Sequence, residues 1–260
     1  NNFYYYENTG SAIAPEFIFQ TDSYFSCIDR FKNTAPELAD LDNDGDLDLL
    51  IANQYDISVV PFTGRIYFFR NIGSDSSPVF QEEETNLLDE SLGQMLTVET
   101  GDLDGDGMKD LVIGDFNGFI KIYKNISTDE FLLFEFVEEV VGIDLSGNSV
   151  PALLDIDNDF DLDLFIGQLN GEIVFYRNTG SQFQFAFQQD EMILSLPELV
   201  NSAPEFFDIT GDGVEELMIG TESSGILLYI NQSGYNEINF EPAQDYDFPI
   251  LGLNIKLAAA

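Results

Sequence analysis

One acidic pattern occurs four times along the 260 residues: "DLDNDGDLD" from Asp40, "DLDGDGMKD" from Asp102, "DIDNDFDLD" from Asp155 and "DITGDGVEE" from Asp208. Steps of 62, 53 and 53 residues separate the copies, and a period of that length marks a repeat architecture in which each unit is one supersecondary element. The residues after each copy recur as well. "LLIAN", "LVIGD", "LFIGQ" and "LMIGT" come first, then "GRIYFFRN", "GFIKIYKN", "GEIVFYRN" and "GILLYIN", then a segment holding Phe80, Phe136, Phe187 or Phe240. "APEL", "VPAL" and "APEF" precede three of the acidic stretches.

These segments are short, rich in Ile, Val, Phe and Tyr, and bounded by Gly, Asn, Asp and Pro, which predicts strands joined by tight turns. Each unit reads as four antiparallel strands, A ("APEL"), B ("LLIAN"), C ("RIYFFRN") and D (around Phe80), with the acidic stretch as the A-B turn. The B-C turn is compact in three units, Gly114 to Gly118, Gly167 to Gly171 and Gly220 to Gly225, and such hairpins draw on glycine for positive φ. No sustained 3.6-residue periodicity is present, which excludes a helical solenoid. The prediction is an all-β fold, a β-propeller of four-stranded blades.

One propeller domain or segment is expected over 1–257, with a partial blade at 1–20, blades at 34–82, 96–137, 149–188 and 202–241, a partial end at 242–257 and a tail at 258–260. The chain opens in mid-blade, because "FYYYENTG" aligns with "IYFFRNIG", and too few residues come after Phe240 for a fifth acidic stretch. Four complete blades and a partial one are therefore expected to belong to a larger propeller. The first unit is longer by an insertion in its B-C turn, from Asn53 to Thr63, which carries Tyr55, Val59, Val60 and Phe62. In a four-stranded blade that turn lies on the face opposite the A-B turns. Exposed apolar residues on a loop point to a contact surface for a protein or glycan ligand, or to a loop folded over a neighbouring blade.

The acidic turns carry the chemistry. In the first, Asp40, Asp42 and Asp44 fill positions 1, 3 and 5, Gly45 position 6, Asp46 position 7 and Asp48 position 9. Alternate carboxylates on a sharply turning loop can converge on a hard cation such as calcium, which takes six to eight oxygens. Position 7 is expected to offer its backbone carbonyl and position 9 a closing carboxylate. The same positions hold Asp102, Asp104, Asp106, Met108 and Asp110 in the second copy, and Asp155, Asp157, Asp159, Asp161 and Asp163 in the third. The third has Phe160 where glycine is expected. The fourth holds Asp208, Thr210, Asp212, Val214 and Glu216, so it lacks the position 3 carboxylate and is expected to bind more weakly.

Composition agrees with cationic partners. The chain has 48 Asp plus Glu against 9 Lys plus Arg, a formal net charge of −39, which opposes nucleic acid and anionic membrane surfaces. No apolar run approaches a membrane span. Cys27 stands alone, so no internal disulfide or cysteine-based metal site is possible.

The "APELADLDNDGDLDLLIAN…GRIYFFRNIGS" pattern resembles the FG-GAP/VCBS repeat of integrin α-subunit propellers and many secreted or surface proteins. The resemblance implies one blade per repeat, Ca2+ in each A-B hairpin, and an extracellular adhesive or scaffolding setting. Weak calcium loops of this kind are filled outside cells and largely empty in cytosol, which agrees with that placement. The expected function is a non-catalytic, calcium-binding surface or secreted module. A polysaccharide-acting enzyme is the alternative, and the absence of His and Trp together with nine basic residues argues against it. The aromatic residues of strands C and D are expected in the core. Two N-x-[ST] sequons, at Asn125 and Asn231, are compatible with secretion.

Overall fold

Strands B read as unbroken apolar runs rather than alternations, and a strand reads that way when both of its faces are covered. The computed structural model bears this out. It describes residues 5–10, 17–21, 34–55, 60, 62–74, 77–84, 87–88, 92–128, 131–139, 147–195, 200–222, 225–232 and 238–243. A hairpin of β1 (Tyr5–Asn8) and β2 (Phe17–Thr21) comes first. Four antiparallel sheets come after it, each in simple sequence order. The first is β3 (Ala35–Ala39), β4 (Asp48–Ala52), β5 (Ile66–Asn71) and β6 (Phe80–Glu84). The second is β7 (Thr97–Gly101), β8 (Asp110–Gly114), β9 (Ile120–Asn125) and β10 (Phe134–Glu139). The third is β11 (Val150–Leu154), β12 (Asp163–Gly167), β13 (Glu172–Asn178) and β14 (Phe187–Ser195). The fourth is β15 (Ala203–Phe207), β16 (Glu216–Thr221), β17 (Gly225–Asn231) and β18 (Phe240–Pro242).

These sheets are the blades of a β-propeller, as the repeat predicts. β3 packs against β7, β7 against β11 and β11 against β15, so the first strand of each blade lines the axis. Blades stack face to face. Phe68 and Leu50 of the first join Leu111, Ile113 and Tyr123 of the second; Val112 and Ile122 of the second join Leu164, Ile166 and Val174 of the third; Phe165 and Phe175 of the third join Leu217, Ile219 and Tyr229 of the fourth. Burying both faces of β4, β8 and β12 gives each blade two hydrophobic interfaces, at roughly 25 cal/mol per Å² of apolar surface removed from water. The aromatic residues of strand C are core, as expected, whereas Phe136 of β10 stays exposed. The ladder register makes Phe134, which faces Asn125, the counterpart of Phe80 facing Asn71, two residues earlier than the repeat alignment suggests. The expected partial end lies outside the described residues beyond Ala243.

Each D-A connection is stitched to the preceding blade. The Ser149 hydroxyl accepts from the Asp115 N–H at 2.9 Å and donates to the Phe119 carbonyl at 2.9 Å, and Ser202 repeats this at Gln168 and Glu172. Gly114 is required at this seam, because a Cβ there would meet the Ser149 carbonyl at 2.1 Å. Gly118, with φ of 87°, supplies the positive dihedral the B-C hairpin needs.

Three axial strands carry a glutamate at the same register: Glu37, Glu99 and Glu205. The third blade has Ala152 there. Thr100 Oγ1 donates to Glu37 at 2.8 Å, linking the first two blades. Burial pushes the Glu37 carboxyl up to about 7, and the Glu205 charge adds to the rise. Burial, then the charges of Glu205 and Glu37, holds Glu99 well above its ordinary range, and burial also raises Glu205. The Glu205 charge thus acts on the glutamates of both the first and the second blade. Raised carboxyl pKa values favour the folded state below the unfolded value near 4.5, and that contribution is lost as pH rises through about 7. Glu205→Gln should therefore raise the melting temperature in EDTA more at pH 8 than at pH 5; equal shifts at both would remove the glutamates from the pH response.

Candidate metal centres

Each acidic loop is folded by its own carboxylates. The position 1 aspartate accepts backbone N–H groups from across the turn: Asp40 from Asp44 and Gly45 at 3.2 and 3.1 Å, Asp102 from Gly105 and Gly107 at 2.7 and 3.0 Å, Asp155 from Asp159 and Phe160 at 3.1 and 3.0 Å. The position 5 aspartate accepts the N–H of position 7, as Asp44 does from Asp46 at 3.1 Å and Asp106 from Met108 at 2.9 Å. Such side-chain to backbone bonds are how Asp stabilises a turn locally. They also aim the carboxylates at one point.

In three loops the aspartates at positions 1, 3 and 5 bring oxygens within 4.8 Å of one another: Asp40, Asp42 and Asp44; Asp102, Asp104 and Asp106; Asp155, Asp157 and Asp159. Among the described residues the fourth loop does not assemble such a trio. Its Asp208 and Asp212 accept the same turn bonds, from the N–H groups of Gly213 at 2.9 Å and Val214 at 3.0 Å, but Thr210 stands where the third carboxylate would be. Phe160 closes the third loop with a φ of 74°, beside 96°, 89° and 87° at Gly45, Gly107 and Gly213. The loop therefore keeps its shape at a cost of about 1–2 kcal/mol in backbone strain.

The position 3 oxygens bear on what the loops can hold. Asp42 Oδ1, Asp104 Oδ1 and Asp157 Oδ1 are buried with no hydrogen-bond donor, and so is Thr210 Oγ1 of the fourth loop. A buried acceptor without a donor costs about 1–3 kcal/mol. A divalent cation, an acceptor's other natural partner, fits these oxygens. Asp161 was expected to serve only through its carbonyl, yet its carboxylate is buried, with Oδ1 equally without a donor. Burial, then Asp159, pushes it up to about 6.

The position 9 residue lies outside the trios. Asp48, Asp110 and Asp163 are buried, and each ties its loop to strand C: one oxygen accepts from position 2 of the loop, the other from the asparagine that ends strand C. For Asp110 these are the N–H groups of Leu103 at 3.0 Å and Asn125 at 2.8 Å; Asp48 uses Leu41 and Asn71, and Asp163 uses Ile156 and Asn178. In the fourth loop Glu216 reaches back to Ile209 and Thr210. Burial pushes the carboxyls up to about 6 at Asp48 and Asp110 and about 7 at Asp163. The strand-ending asparagine is equally structural: Asn125 Nδ2 donates to the carbonyls of Leu41 and Lys109, both at 3.0 Å. That sequon is buried and its amide is committed. Asn231 Nδ2 donates to the Glu215 carbonyl at 2.9 Å.

A basic residue precedes that asparagine in three blades, and repeat matching did not single it out. Arg70 pairs with Asp42, Lys124 with Asp104 and, at 3.1 Å, Asp106, and Arg177 with Asp157 at 2.5 Å. The hydrogen bonds that Lys124 donates to Asp104 and then Asp106 raise its pKa, so it stays charged. Its signal was present in "FRN", "YKN" and "YRN" against "YIN" in the unit that lacks the position 3 carboxylate.

At the opposite face, the insertion has both feet tied to the segment entering the second blade. The Met95 N–H donates to the Gln54 carbonyl at 2.7 Å, the Leu96 N–H to that of Asn53 at 3.2 Å, and Thr63 Oγ1 to that of Gly93 at 2.9 Å. Val60 and Phe62 are exposed. Residues 56–59 and 61 lie outside the described residues.

Four-stranded blades with an acidic metal-type loop at each A-B hairpin define a class, the repeat propellers with loops suited to divalent cations. The chain belongs to the FG-GAP-like repeat family, whose model matches residues 40–113, 102–166 and 155–219. It is similar to integrin alpha-3 of Cricetulus griseus, 29% identical over 164 residues, covering 58% of this chain and 15% of that protein. It is also similar to integrin alpha-4 of Xenopus laevis, 28% identical over 194 residues, covering 64% and 18%, and to integrin alpha-7 of Mus musculus, 30% over 146 residues, covering 54% and 12%. The chain thus spans less than a fifth of the length of these curated relatives. Among the described residues no helix is long and apolar enough to cross a membrane.

Proposed function

We propose that this chain is a non-catalytic, calcium-binding propeller module of an extracellular or cell-surface protein, serving adhesion, scaffolding or ligand binding. The observation that carries it is the buried, donorless Oδ1 of Asp42, Asp104 and Asp157, each set in a trio of converging aspartates. When bound, the ion would supply charge neutralisation and cross-link the loop. The side chains at positions 1, 3 and 5 would hold it, with the position 7 carbonyls of Asp46, Met108 and Asp161 as further ligands, and the position 9 carboxylates would tie the loop to strand C behind it. The fourth loop would rely on Asp208, Thr210, Asp212, Val214 and Glu216, with fewer charges. The integrin alpha relatives support the adhesive setting. A protein or glycan ligand is proposed at the 53–63 loop, where Val60 and Phe62 are presented on tied-down feet.

Calorimetric titration with calcium tests the reading. Three sites should fill, and Asp42→Ala, Asp104→Ala and Asp157→Ala should each remove one. Heats no different from dilution would sink it.

A further inference from the structure

Three blades place a cation of the chain's own on the loop. Arg70, Lys124 and Arg177 stand one residue before the end of strand C, and each pairs with the position 3 aspartate, whose second oxygen has no donor. In the fourth blade both halves of the pair are gone: Thr210 replaces the carboxylate and Ile230 the cation. Loss of the two together is what a matched charge pair predicts, since either alone would leave an uncompensated partly buried charge.

Strand D completes the pattern. Arg70 also holds Glu83, with Nε at 2.6 Å and Nη2 at 3.1 Å, and Arg177 holds Asp190 at 3.3 Å through Nε. Glu83 is the extra residue of a β-bulge, and Asp190 sits at the matching irregularity of its ladder. The corresponding bulge residue of the second blade is Val137. Each arginine thus has a carboxylate outside the loop to hold it, whereas among the described residues Lys124 pairs with Asp104 and Asp106 of the loop itself.

We propose that Arg70, Lys124 and Arg177 are built-in counter-ions of the metal loops, each competing with a divalent cation for the position 3 carboxylate. The inference rests on the calcium reading above and deepens it. A resident monovalent cation neutralises part of the trio's charge and keeps the loop closed when calcium is scarce. The divalent ion must then displace it, which weakens binding and favours release at low calcium. The arginines move onto Glu83 and Asp190, and Lys124 moves into solvent, so the second loop is the most sensitive to losing its counter-ion.

The test compares the full chain with Lys124→Gln, Lys124→Arg and Lys121→Gln by calcium calorimetry and by melting in EDTA. K124Q should tighten one class of sites about ten-fold, from removal of one positive charge within a few ångströms of the ion, and should melt lower than wild type in EDTA. K124R keeps the charge and should bind as wild type does. K121Q changes the net charge equally at the far end of β9 and should leave affinity unchanged. R177Q reads the same effect at the third loop if K124Q fails to fold. Calcium bound by wild type with no tightening in K124Q or R177Q, or equal tightening in K121Q, overturns this inference alone. No calcium bound by any of them overturns both readings.

Discussion

Removing calcium with EDTA should lower the melting temperature of this chain by on the order of 20 °C. A ligand that binds only the folded state stabilises it by about 2.7 kcal/mol when its concentration is a hundred times Kd. Loops of the extracellular kind have Kd values down to about 10⁻⁴ M, so about 10 mM calcium reaches that ratio. Three loops then supply about 8 kcal/mol, and each kcal/mol is worth roughly 2–4 °C in a chain of this length. The loops sit in three consecutive blades whose faces share cores, so the gain at each is felt across two interfaces. The unfolded chain cannot converge Asp40, Asp42 and Asp44, which is why binding energy becomes folding energy. Differential scanning calorimetry in calcium and in EDTA reads the shift. Identical melts would show that the trios are acidic turns held only by their own hydrogen bonds and by Arg70, Lys124 and Arg177.

The fold was legible because every blade repeats one local code. Apolar runs such as "DLVIG" announced strands buried on both faces, and the acidic stretch with its glycine announced the turn before them. Positions 1, 3 and 5 were equally legible, since alternation over a tight turn places them together whatever surrounds the loop. What stayed hidden depends on partners distant in the chain. Nothing within "DLDGDGMKD" shows that Asp110 is tied to Asn125 fifteen residues later, or that Lys124 reaches Asp104 twenty residues back. The Phe136 misalignment has a local origin instead: Phe134 and Phe136 share one segment, and the step from the strand-ending asparagine that is common to Asn71–Phe80, Asn125–Phe134, Asn178–Phe187 and Asn231–Phe240 picks out the first of them. Asn125 matched a glycosylation sequon, while its amide is consumed in holding the loops of two blades. Phe160 shows the reverse case, a local rule broken without loss of the turn. The bonds that backbone N–H groups donate to Asp155 and Asp159 close its loop as their counterparts close the glycine-bearing ones.

Asp110→Ala should cost about 3–5 kcal/mol whether or not calcium is present, and this separates position 9 from position 3. Truncation leaves the N–H groups of Leu103 and Asn125 without acceptors in a site where Asp110 is 2% exposed, at about 1–3 kcal/mol for each buried donor. The loop also loses its tie to strand C, and Asn125 is the residue through which that strand holds Leu41 of the first blade. Asp104→Ala removes an oxygen that has no donor and a partner of Lys124, so in EDTA it should cost less than about 1 kcal/mol, near the worth of an exposed ion pair. In calcium the gap between them narrows: D104A then loses the stabilisation of one site as well, about 2–3 kcal/mol, while D110A keeps its deficit in both conditions. Asp110→Asn provides the intermediate case, since its amide retains one acceptor for Asn125 and cannot serve Leu103 as well. Urea denaturation of the three variants in EDTA and in calcium gives the comparison. A D110A deficit that vanishes in EDTA would make position 9 a metal ligand first and a structural tie second, the reverse of what its two backbone hydrogen bonds imply.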